Sequence, residues 1–182
     1  MRKLTLAAVV ATAAIGVSVS AQQKVTELPM GKGGSGRAKV EAVVDGANIS
    51  IEYGRPALKG RVPGKDIDPY EGKPWRTGAD AQTTLITDRA LTFGTLKVPA
   101  GTYGIHTVPQ SGTWQLIIHK REKGWGIPYP GEKDELGRVP MTMGKVSKAE
   151  ERLTISIEDT AKGGMLHIDW GQTRASVAFT VG

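Results

Sequence analysis

From Ala38 onward the chain alternates apolar and polar residues with a period of two. Val40, Ala42 and Val44 are interleaved with Lys39, Glu41 and Val43, Asp45-Gly46 supplies a tight turn, and Ile49, Ile51 and Tyr53 alternate on the return. Placing Val44 opposite Ala47 brings Ala42 to Ile49, Val40 to Ile51 and Ala38 to Tyr53, so every apolar residue falls on one face and the register is set. The same pattern recurs near the carboxyl end, where Leu166, Ile168 and Trp170 precede Gly171-Gln172, and Ala175, Val177 and Phe179 follow. Pairing Trp170 with Thr173 again puts the apolar set on one side. A third hairpin is expected to join Thr102–Val108 to Thr113–His119 through Pro109-Gln110-Ser111-Gly112. Further strands are expected at Thr83–Thr87, Ala90–Leu96, Arg138–Met143 and Leu153–Glu158, and only Ser147–Glu151 reads as a helical turn. About nine short strands with turn signals every 8 to 12 residues or so predict an all-β fold, an antiparallel β-sandwich or open barrel.

The amino end departs from this pattern. Arg2 and Lys3 precede an uncharged run from Leu4 to Val19, and Val19-Ser20-Ala21 has the small residues of a cleavage site, so residues 1–21 read as a secretory signal peptide. The run is too rich in alanine and glycine, and too short, to serve as a membrane span of about 20 strongly apolar residues. Cleavage after Ala21 would leave 161 residues, of a size for one domain. Residues 22–37 contain Pro29 and the run Gly31-Lys32-Gly33-Gly34-Ser35-Gly36 and read as a flexible leader; residues 38–182 form the β-domain. With no cysteine, the chain carries neither a lipobox thiol nor a disulfide. The expected location is periplasmic or extracellular, without stable membrane insertion after cleavage.

Removing Arg2 and Lys3 leaves 22 basic and 18 acidic residues, a formal charge of +4. These charges are scattered, which argues against nucleic acid as a partner. They do concentrate in one loop. Between Tyr53 and Asp80 the chain gathers Arg55, Arg61, Trp75, Arg76 and Asp80 in a segment punctuated by glycine and proline. Convergent guanidinium groups suit a carboxylate, sulfate or phosphate ligand; alternatively, each pairs with Glu52, Asp66, Asp68 or Asp80 and pins the loop. Trp75, Trp125 and Tyr129 also lie outside the alternating strands. Their rings could stack on a ligand or cap the open end of the core, whereas Trp114 and Trp170 sit within strand patterns as core residues.

His106, His119, His167 and Asp169 offer zinc-type donors. Pairing Val108 with Thr113 places His106 opposite Gln115 and His119 on the order of 13 Å away, at about 3.3 Å per residue, and it leaves His167 and Asp169 on an outward, solvated face opposite Ser176 and Arg174. No metal site and no cofactor are therefore expected. A nucleophile elbow and a phosphate loop are both missing from the sequence. What remains is a non-catalytic binding module for a small polar or anionic ligand between the Arg55–Asp80 loop and the Trp125–Tyr129 loop. The alternatives are a hydrolase using Asp80 with Arg76, and a structural or partner-binding protein of the cell envelope whose protein partner is unknown.

The motifs Ile51-Glu52-Tyr53-Gly54-Arg55-Pro56, Lys59-Gly60-Arg61, Trp75-Arg76-Thr77-Gly78-Ala79 and Val98-Pro99-Ala100-Gly101-Thr102-Tyr103 resemble a secreted bacterial family catalogued as domain of unknown function 2911. The likeness continues through the Trp125-Gly126 loop and the Leu166–Val181 segment. It implies a signal-bearing β-domain and no established activity. Asp80 and Ala81 stand where that family's pattern runs on into asparagine and glutamate, and His106 stands where it commonly has an apolar or aromatic residue, so no shared catalytic acid or base is implied at either place.

Overall fold

The computed structural model describes residues 23–182; the expected signal peptide lies outside them. The strands are β1 (Lys24–Leu28), β2 (Gly36–Val44), β3 (Ala47–Arg55), β4 (Thr83–Thr87), β5 (Leu91–Phe93), β6 (Leu96–Val98), β7 (Gly101–Gln110), β8 (Thr113–His119), β9 (Glu135–Thr160) and β10 (Gly163–Val181). They form one antiparallel sheet in the order β1-β2-β3-β4-β7-β8-β9-β10-β5-β6. The sheet is rolled but not closed. Past β3, Ala57 bridges to Arg152, the Leu58 N–H donates to the Glu151 carbonyl (2.8 Å) and Leu153 N–H to Pro56 (3.1 Å). The Tyr53 hydroxyl accepts from Ile155 N–H at 3.1 Å. These contacts tie the far flank of β9 to β3, and the one-sided apolar sets of the strands meet inside the roll.

The β2–β3 hairpin has the expected register, Val44 with Ala47 through Ala38 with Tyr53. Asp45 and Gly46 both take positive φ, 47° and 78°, as a two-residue turn matched to strand twist requires. The Leu166–Trp170 and Ala175–Phe179 segments lie within β10, and both halves pair with β9. The chain reverses between them. Asp169 meets Arg174 at 2.6 and 2.8 Å and His167 Nδ1 meets Ser176 Oγ at 2.8 Å, although nine extended residues span about 30 Å. Gly171 takes φ 58° at the reversal, and both contacts are those of Trp170 placed opposite Thr173. Asp169 is not solvated as expected: it is 4% exposed, covered by the Arg174 fork.

Four expectations are corrected. The leader contains β1, which pairs with Arg37–Glu41 and covers the β2 edge; its backbone groups find partners there that glycine content alone does not reveal. Ser147–Glu151 is extended and lies inside β9, because one helical turn has no stability of its own against available strand partners. Ala90–Leu96 is interrupted at Gly94, φ 58°, which turns β5 into β6. The central hairpin turns at Ser111-Gly112 and not over four residues, so Gln110 faces Thr113, Pro109 faces Trp114 and Val108 faces Gln115. Pro109 lacks an N–H but keeps its place in the strand, and its carbonyl accepts from Gly72 N–H at 2.7 Å.

Candidate functional site

The loop between β3 and β4 is anchored by Trp75. Trp75 and Thr107 exchange backbone hydrogen bonds of 2.8 Å in both directions, and the indole N–H donates to the Gly78 carbonyl at 3.1 Å. Its ring lies edge-on to Trp114 and Trp170, with centroids 6.3 and 5.7 Å away. At 3% exposure Trp75 caps the core and is no stacking platform. The next turn is strained: Thr77, a buried β-branched residue, takes φ 54°, and Asp80 takes φ 63°. The Thr77 hydroxyl, 3.2 Å from Thr107 Oγ1, and the Thr83 hydroxyl donating to the Thr77 carbonyl at 2.8 Å hold this conformation. Trp75 is thereby turned inward while Arg76 is left at the surface.

The sequence-predicted arginines separate into three roles. Arg55 is internal: its Nε donates to the Leu153 carbonyl at 3.2 Å and its Nη1 pairs with Glu27. Arg61 holds its own loop, with Nε donating to Leu58 O at 2.9 Å and Nη2 to Ala57 O at 2.8 Å. Arg76 joins the two loops singled out in the sequence, since Nη1 donates to the Trp125 carbonyl at 2.9 Å and the guanidinium sits over the Trp125 ring, 5.2 Å from its centroid. Among the described residues neither Arg61 nor Arg76 makes an ion pair. Burial pushes the Arg76 guanidinium below its ordinary value, with Asp80 and Asp68 opposing that shift.

Asp80 is 5% exposed. Its carboxylate accepts from Ser35 N–H at 3.3 Å and is packed between Gly31 and Gly33, where any Cβ would fall 2.0 and 1.9 Å from its oxygens. The glycine run thus wraps an acid. Asp80, Trp125, Lys32, Met30, Arg37 and Glu52 line an open cleft of about 570 Å³. A second, smaller cavity of about 210 Å³ is lined by Arg61, Arg76, Asp68, Ser35, Trp75 and Trp170 among others.

Tyr129 belongs to a different cluster, one the sequence reading missed. The observed register puts His106 opposite Ile117 and Gly104 opposite His119, so the two histidines are diagonal neighbours on one face. His106 Nδ1 lies 2.9 Å from His119 Nε2, and His106 Nε2 lies 3.0 Å from the Gly126 carbonyl. A carbonyl only accepts, so His106 carries its proton on Nε2, and His119 Nε2–H donates to the bare His106 Nδ1. Both rings are fully buried, and His119 Nδ1 has no partner. Burial, then His106 and Arg121, push His119 down to about 4; burial, then Arg76, lower His106 against the opposing Gly126 contact. The Tyr129 ring stands edge-on to His106 at 5.0 Å, and its hydroxyl donates to Glu135, which Arg138 grips at 2.6 and 2.8 Å. Burial raises Tyr129, and the Arg138 hydrogen bond lowers Glu135.

Expecting the imidazoles 13 Å or so apart was an error of two residues in register. Gly104 carried the missing signal. A Cβ there would stand 2.1 Å from His119 Cε1, and a glycine inside a strand marks such close approach. Among the described residues no group of three His, Cys, Asp or Glu side chains is placed to hold a metal ion.

Fold and loops together define a rolled antiparallel β-protein with basic loops at one end and a buried histidine pair under the Trp125 loop. Residues 35–179 match the family described as "Protein of unknown function (DUF2911)", and the chain belongs to that family. No curated protein and no solved structure matches it.

Proposed function

We infer that this protein is a non-catalytic binding module for a small anionic ligand, met by Arg76 where the Arg55–Asp80 loop touches the Trp125–Tyr129 loop. The observation that carries this reading is the state of Arg76. Its guanidinium is partly desolvated, shares a cavity with Arg61, and has no carboxylate at ion-pair distance among the described residues. A planar fork with free donors is suited to an oxyanion. The strained Thr77 turn supports the reading, because such conformations persist where the surroundings hold a side chain for use. Asp80 suits the hydrolase alternative less well: its carboxylate is packed against Gly31, Gly33 and Ser35 and occupied in holding that loop. The signal-like amino end supports an extracytoplasmic setting.

The test is a thermal-shift panel of the purified protein against phosphate, sulfate, small carboxylates and oligosaccharides, repeated on Arg76→Ala. An anion that raises the Tm of the parent and not of the variant supports the reading. A panel in which only oligosaccharides act, or in which Arg76→Ala responds as the parent does, contradicts it.

A further inference from the structure

The cavity shared by Arg61 and Arg76 has a donor and acceptor pattern more specific than positive charge. Its volume of about 210 Å³ is below the roughly 300–1,000 Å³ of pockets that enclose drug-sized ligands, a size suited to a small ion. Two guanidinium groups are in the lining. Arg61 uses only Nε and Nη2, and Arg76 only Nη1, on protein carbonyls, which leaves further N–H groups on both forks. Trp170, 2% exposed, also lines the cavity, and its indole N–H has no hydrogen-bond partner. That nitrogen is sealed from the cavity's solvent space, so the donors open to a ligand are those of the two guanidinium groups.

One lining residue has the opposite character. Asp68 shares the cavity with both guanidinium groups, yet no ion pair forms between them among the described residues, although Asp68 acts on Arg76 through space. An ionised carboxylate only accepts hydrogen bonds. A ligand that sits among these arginines and touches Asp68 must therefore present an O–H of its own; an oxyanion with no proton would set acceptor against acceptor.

We propose that this cavity is a seat for a protonated oxyanion of the phosphate class, inorganic phosphate itself, with Asp68 accepting a hydrogen bond from the ligand's O–H and thereby excluding sulfate. This rests on the anion-binding reading above and adds the ligand class. Near neutral pH phosphate and arsenate keep an O–H, whereas sulfate and selenate have none, so charge and size are nearly matched while the one group Asp68 reads differs.

The experiment is thermal shift and titration calorimetry of the purified protein near pH 7.5 with inorganic phosphate, arsenate, sulfate and selenate, and with glycerol phosphate, whose phosphate group has largely lost its proton at that pH and should bind as weakly as sulfate. Phosphate and arsenate are expected to bind saturably, and sulfate and selenate at least about tenfold more weakly, the scale of one unmade or opposed hydrogen bond. Asp68→Asn, whose amide can donate, is expected to narrow that ratio by raising sulfate affinity. Equal affinity of the wild-type protein for phosphate and sulfate overturns the proposal and leaves the anion-binding reading standing. Failure of all four ions and of small carboxylates to bind overturns both. If Asp68→Asn does not fold, the two ion pairs measured on the wild-type protein decide the matter alone.

Discussion

His106 and His119 share one hydrogen bond of 2.9 Å in a place with no exposure to water, and the far side of His106 holds the Gly126 carbonyl. The residue before Gly126 is Trp125, whose carbonyl holds Arg76. Two consecutive carbonyls thus link the buried pair to the basic loop.

That arrangement predicts a pH dependence with a definite sign. A histidine whose folded value lies below its ordinary 6.5, here about 4 for His119, binds fewer protons folded than unfolded. Its stabilisation is complete above about pH 6.5 and is lost progressively as pH falls toward 4. The groups facing the pair are Arg76, Arg121, Asp134 and Glu135; the two arginines reinforce the shift and the acids oppose it. At about 1.4 kcal/mol per unit over about 2.5 units the loss is at most about 3.5 kcal/mol. Urea midpoints taken from pH 7.5 to 4.5 should fall for the wild-type protein and fall less steeply between pH 6.5 and 5 for His119→Phe. Parallel slopes would contradict the account.

The tautomers are open to direct observation. Imidazole ¹⁵N shifts at pH 7 should show both rings neutral and protonated on Nε2, with both Nδ1 atoms bare. A protonated Nδ1 on His106 would reverse the hydrogen-bond direction assigned here.

Gly104→Ala places a methyl group against His119 and 2.7 Å from the Arg121 carbonyl. Backbone cannot yield cheaply at that distance, so the substitution should be destabilising by about 2 kcal/mol or more, with the Trp125 loop exchanging amide hydrogens faster. A loss below about 0.5 kcal/mol would show that His119 has room to move.

Much of the fold was legible because one-sided alternation and short turns specify register strongly. A one-residue slip would turn Val40, Ala42 and Val44 away from the face of Ile49, Ile51 and Tyr53, and the two-residue Asp45-Gly46 turn excludes a slip of two. The central hairpin was harder to read, since Pro109 looks like a turn residue and is a strand residue whose missing N–H leaves no gap in the ladder. A two-residue slip keeps every side chain on its face, so the apolar pattern gave no warning, and the histidine pair disappeared with it. The loop arginines were visible as a group but not in their separate roles. Whether Arg55 meets Glu27 and Leu153, or Arg76 meets Trp125, depends on contacts 28 to 98 residues apart, which no local pattern encodes.

Arg55 and Arg76 should therefore respond in opposite ways to removal. Arg55 is tied to Leu153 and its side chain is 16% exposed, so Arg55→Ala should lower stability by about 1–3 kcal/mol without changing anion affinity. Arg76→Ala, which loses only the half-exposed contacts with Trp125, should lower stability by no more than about 1 kcal/mol. A large stability loss in Arg76→Ala would reassign it to the scaffold.

Asp80→Asn separates binder from hydrolase. The amide can still accept from Ser35 N–H, so a binding module keeps its ligand affinity within about threefold, while an acid or base catalyst would lose turnover by roughly 10²-fold or more. Titrating the candidate anion into the variant reads the first outcome directly.

The central claim is that Arg76 meets an anion, and calorimetric titration of inorganic phosphate into the wild-type protein and Arg76→Ala tests it most directly. The account predicts a saturable single-site isotherm for the wild-type protein and none for the variant at the same concentrations. An isotherm unchanged by Arg76→Ala would contradict it, as would the absence of binding by phosphate, sulfate and small carboxylates alike.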